Sequence, residues 1–90
     1  MFIRSIKIES ETVIKIYEKH SILSEEIELV LTKDKAIFKK VGGNQYIALG
    51  VLGRYITIFF TYDRKTKEAV ITTAYSTPLK QIRSYKKLTG

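Results

Sequence analysis

Cysteine is absent from the chain, so it can build neither a disulfide framework nor a thiolate metal site. A reducing compartment fits that absence. Long apolar runs are missing too: none approaches the roughly 18 residues of a membrane-spanning helix. The opening "MFIRSIKIES" has no extended apolar segment of the kind a signal peptide needs. These absences read as a cytoplasmic protein with no membrane partner. Repeats, low-complexity tracts and linkers are lacking. So are a P-loop, a glycine-rich dinucleotide fingerprint, an HExxH and a G-x-S-x-G. Nothing in the pattern calls for a cofactor.

Acidic residues are scarce, nine against sixteen Lys and Arg, for a net charge of +7. The imbalance is uneven. Residues 1–31 hold four basic and six acidic groups, a net of −2; residues 32–90 hold twelve and three, a net of +9. A basic region of that size, interleaved with tyrosine, points to a polyanion such as RNA. A solvated, lysine-rich surface has the same composition.

Ninety residues with 44% apolar content make one domain, 1–90. A chain of this length buries roughly 60–65% of its unfolded surface, so the core is small.

"FIRSIKI" (2–8) reads as a first strand. Ser10 is placed to cap a helix over 11–20, with Val13, Ile14 and Tyr17 on one face. Ser24 is placed to cap a second helix with Ile27, Val30 and Leu31 as its buried stripe and Glu25 and Glu26 in its first turn. The period then falls from 3.6 to 2. "AIFKKV", "QYIALG", "RYITIFFTY" and "EAVITTAY" are four strands in series, joined by short loops as an antiparallel meander. Thr77 and Pro78 open a last helix, on which Lys80, Arg83 and Lys87 form a basic stripe. The expected class is α+β, helices packed on an antiparallel sheet, in the order β-α-α-β-β-β-β-α.

Three segments carry a family resemblance: "EKHSILSEEIELVL", "YIALGVLGRYITIFF" and "ITTAYSTPLKQIRSYKK". In order and spacing they resemble the BrnT family, toxins of bacterial type II toxin–antitoxin pairs within the RelE-like group of small ribonucleases. The resemblance covers about Glu18 to Lys87. It implies a RelE-like fold and metal-independent cleavage of RNA by 2′-hydroxyl attack. It also implies a small antitoxin that neutralises the toxin, binds the promoter for the complex and dimerises into a higher-order assembly. Three positions depart from the family pattern. Tyr75 stands where an Arg is usual, Ser21 where a Gly is usual, and Gln81 lies near the place of an acidic residue.

Cleavage of this kind needs a proton acceptor, cations for the charge on phosphate, and a proton donor for the leaving oxygen. Arg54 follows Gly53 at the mouth of a strand, and the resemblance puts it on the active face. Its planar fork suits phosphate; the plainer reading is a strand end in water or an ion pair with a carboxylate such as Glu68. Tyr75 and Tyr85 are candidates for stacking or proton transfer, and Arg83 for clamping phosphate. Lys39, Lys40, Lys80 and Lys87 are the candidate RNA-binding cations. Lys39 and Lys40 are strand neighbours that point to opposite faces, and Lys40 is the one preferred. His20, the single histidine, cannot supply both acid and base, and reads as a structural group at a helix end. Glu25, Glu26 and Glu28 read as dipole-compensating surface rather than a metal site. Two other readings stay open: a degenerate RNA-binding relative, supported by Tyr75, and a module that meets an acidic protein partner.

Overall fold

The computed structural model describes residues 1–32, 36–77 and 83. Its described elements are β1 (Ser5–Lys7), α1 (Ser10–His20), α2 (Ser24–Thr32), β2 (Ile37–Gly42), β3 (Gln45–Val51), β4 (Tyr55–Asp63) and β5 (Glu68–Ser76). The class is α+β.

The four-strand meander forms as its alternation predicts, with β2, β3, β4 and β5 antiparallel in sequence order. The fifth strand corrects the expectation of a purely antiparallel sheet. β1 joins the outer edge of β5 in parallel, giving a mixed sheet of order β1-β5-β4-β3-β2. A parallel partner needs a long crossover, and the whole chain between β1 and β5 supplies it. The N–H of Arg4 donates to the Lys67 carbonyl at 2.7 Å and fixes that edge.

Both helices cover one face of the sheet. Ile16, Ile22, Ile27, Val30 and Leu31 meet Ala48, Ile56, Ile58, Phe60, Tyr62, Ala69, Ile71 and Ala74 in a single core. Each large aliphatic or aromatic side chain so buried contributes about 1.5–3 kcal/mol. The predicted stripe of α2 is the buried one. On α1 the outcome differs: Ile16 is its buried residue, while Ile14 and Tyr17 are exposed. The close approach of α2 to β3 depends on Gly50, where an added Cβ would lie 2.6 Å from Val30 Cγ1.

The helix starts also differ from expectation. Glu9, not Ser10, precedes α1, and it makes no side-chain cap. Leu23, not Ser24, precedes α2, and its carbonyl accepts from the N–H groups of Glu26 and Ile27. Glu26 Oε1 accepts the Leu23 N–H at 3.0 Å, the carboxylate half of a capping box without a hydroxyl partner. The corner between the helices turns at Ser21, in the left-handed region at φ 54°, ψ 38°.

A bulge in β5 decides which residues meet the core. Phe59 pairs with Thr73, but Phe60 pairs with Ile71, so Thr72 is an extra residue. The insertion reverses the alternation. Ala69, Ile71 and Ala74 therefore all face the helices, while Thr73 and Tyr75 join Phe59 on the opposite face.

The expected last helix falls outside the described residues, as do Lys80, Tyr85 and Lys87. Of that segment only Arg83 is described, and it is exposed.

Candidate functional site

One end of the sheet gathers chemistry from four elements. β4 begins there and β5 ends there, with the Thr77 N–H donating to the Tyr55 carbonyl at 2.9 Å. The turn before β4 contains Gly53 at φ 72°, a conformation costly for a residue with a Cβ, and no atom crowds the space a Cβ would take. Across Gly53 the Leu52 N–H donates to the Arg54 carbonyl at 2.9 Å. Arg54 is thus held at a tight corner, pointing toward the junction of the two helices.

Its guanidinium is engaged there. Nη2 donates to the Ser21 carbonyl at 2.7 Å and to both carboxylate oxygens of Glu26, at 3.2 and 3.3 Å. The partner is Glu26 and not Glu68, which lies at the far end of the sheet and accepts from Ser5 Oγ. The Ser21 carbonyl belongs to the C-terminal corner of α1, where the backbone partial charge is negative and a cation is favoured. All three contacts converge on Nη2. Among the described residues, no hydrogen bond reaches Nε or Nη1, but both two-donor edges of the guanidinium, Nε–Nη2 and Nη1–Nη2, include the engaged Nη2. The Arg54 side chain is 37% exposed.

His20 immediately precedes Ser21. Its ring lies 6.2 Å from the ring of Tyr75, tilted by 52°. Tyr75 in turn stacks on Phe59, with centroids 6.0 Å apart and planes 30° apart. The pair forms a two-ring aromatic surface with an imidazole on one flank. The packing joins residues of no sequence proximity: α1 ends beside the part of β5 that β1, which pairs only as far as Val70, leaves open.

The strand cations separate by face. Lys39, Ile47, Phe59 and Thr73 form one row across β2, β3, β4 and β5. Lys39 therefore shares a face with Phe59 and Tyr75. Lys40 aligns with Tyr46 and Phe60 on the helix side. Both lysines are exposed.

The structure thus places Tyr75 and Lys39 on one face, three strands apart, while Arg54 turns to the helix corner and is linked to Tyr75 through Ser21 and the adjacent His20. It adds His20, Glu26 and Phe59, which sequence reasoning had given structural roles or passed over. One signal was present for His20: it lies in the "KHSILSEE" segment that carries the resemblance, next to the residue that turns the corner. No local signal marks Phe59, one of two adjacent phenylalanines, because the side of the sheet it faces depends on the register. Among the described residues no helix is long and apolar enough to cross a membrane.

Compared with models of known protein families and with curated protein sequences, the chain matches none.

Proposed function

We propose that the protein is a metal-independent endoribonuclease of RelE-like, BrnT-like type, the toxin of a type II pair. The observation that supports this reading most is the convergence of Arg54, His20 and Tyr75 at one end of the sheet. These are a cation, an imidazole and a phenol, drawn from the β3–β4 turn, α1 and β5. In the proposed reaction a 2′-hydroxyl oxygen attacks the adjacent phosphorus. His20 removes the hydroxyl proton, and Arg54 balances the charge that grows on the phosphate oxygens. The bond to the 5′-oxygen breaks, and Tyr75 protonates the departing alkoxide. The products are a 2′,3′-cyclic phosphate and a 5′-hydroxyl. The Phe59–Tyr75 surface supplies a stacking platform for a base next to the scissile bond. A small antitoxin that covers this end of the sheet is the partner the reading implies, and the cytoplasm is its compartment.

A second reading is favoured by a specific observation. Arg54 is held by Glu26 and Ser21, and such contacts suit a structural brace in a non-catalytic RNA-binding relative. Total RNA incubated in EDTA with wild-type protein, Arg54→Ala and His20→Ala separates the two. Fragments ending in cyclic phosphate, made by wild type and lost in both variants, support the nuclease. Salt-sensitive RNA binding without product supports the second reading.

A further inference from the structure

The bulge at Thr72 stands between two cavities of different character. On one side a cleft of about 190 Å³ runs between α1 and β5, lined by Lys15, Lys19, His20, Thr12, Thr72 and Thr73. Lys15 and Lys19 are one helical turn apart, so their stems rise side by side. Among the described residues no carboxylate lines this cleft. On the other side, Thr72 and Thr73 also line a pocket of about 210 Å³ with Gln45 and Phe59. That second wall combines an aromatic ring with a side-chain amide.

We infer that the two cavities together form a nucleotide subsite for single-stranded RNA. The phosphate lies between Lys15 and Lys19, and the base lies against Phe59 within reach of the Gln45 amide. The inference rests on the RNA reading above and extends it to residues outside the cleavage machinery. Three features of the site support it. Two lysines with hydroxyl donors, and no acid among the described lining residues, select an anion. An aromatic wall offers stacking to any base, and an amide can donate to and accept from a base edge. Continuity is the third: His20 lines the phosphate cleft and touches Tyr75 of the proposed cleavage site. A strand bound there would run from the subsite directly to the Arg54 corner. The bulge makes this possible, since it turns Thr73 toward Phe59 and leaves Thr72 exposed at the divide.

Fluorescence anisotropy with short labelled RNA homopolymers tests the inference on the whole chain. The proteins are wild type, Lys15→Gln/Lys19→Gln, Lys15→Arg/Lys19→Arg and Gln45→Ala. The glutamine pair is expected to weaken binding roughly tenfold at moderate salt and to flatten the log K against log salt slope by about 0.7, the value for one lost phosphate contact. The arginine pair is expected to retain both values, which separates charge from helix damage. Gln45→Ala is expected to compress the spread of affinities across the homopolymers without changing the salt slope. Wild-type binding that the glutamine pair leaves within twofold, with an unchanged slope, overturns the subsite and leaves the nuclease reading standing. Absence of RNA binding by wild type overturns both.

Discussion

Arg54 Nη2 donates to the Ser21 carbonyl at 2.7 Å, tying the turn before β4 to the corner between the two helices. Ser21 is itself in the left-handed region, and the same guanidinium reaches Glu26 in the first turn of α2. A single side chain thus links the turn before β4, the end of α1 and the start of α2, one residue from the His20 that lies beside Tyr75.

The brace predicts a stability cost for Arg54→Ala of about 1–2 kcal/mol, the sum of a charged hydrogen bond to a carbonyl and a part-exposed ion pair. Arg54→Lys is expected to recover part of it, because one nitrogen makes all three contacts and a lysine ammonium has three donors, though on a shorter side chain. Urea denaturation of Arg54→Ala, Glu26→Gln and the double variant, read as a double-mutant cycle, measures the coupling. A coupling near zero would mean that the ion pair contributes nothing.

Ser21→Gly is expected to stabilise the fold by about 1 kcal/mol, since glycine adopts the left-handed corner without a Cβ penalty. For a domain of this size that is a rise in Tm of about 4–8 °C, measurable by circular dichroism. Since the Arg54 contact is to the backbone carbonyl, RNA binding by this variant should match wild type.

Gly50→Ala is expected to destabilise by about 1–3 kcal/mol, because its new methyl group meets Val30 inside a filled core. Combining it with Val30→Ala should restore part of the loss. Full additivity of the two single costs in chemical denaturation would contradict the close approach of α2 to β3.

Deleting Thr72 removes the extra residue and leaves β5 in plain alternation, with Ile71 and Ala74 still toward the helices and Thr73 and Tyr75 still beside Phe59. The Phe59–Tyr75 stack is expected to survive, at a stability cost of about 1 kcal/mol or less. Near-ultraviolet circular dichroism reports the aromatic packing; loss of the native signal in the deletion variant would contradict the bulge.

Much of the fold was legible in the chain. The 3.6-residue stripe of Ile27, Val30 and Leu31 marked α2. The alternation from Ile37 onward marked a meander whose short loops permit only neighbouring antiparallel strands. Local periodicity determines these features, because each strand or helix must bury its own apolar side. It also marked Arg54 as an unusual cation at a strand mouth, beside a glycine with positive φ. The rest lay in relations that no local pattern contains. By sequence the Val13, Ile14 and Tyr17 face of α1 was the more apolar one, and docking on β5 buried Ile16 instead. The parallel placement of β1 depended on which sheet edge stayed open. The single residue inserted at Thr72 put Tyr75 beside Phe59 and His20, and that inversion exists only once β5 is in register with β4. Sequence by itself determined the elements and their order, since those follow from short-range burial and backbone preference. Tertiary structure alone decided the faces, because register and edge pairing are long-range choices settled by packing.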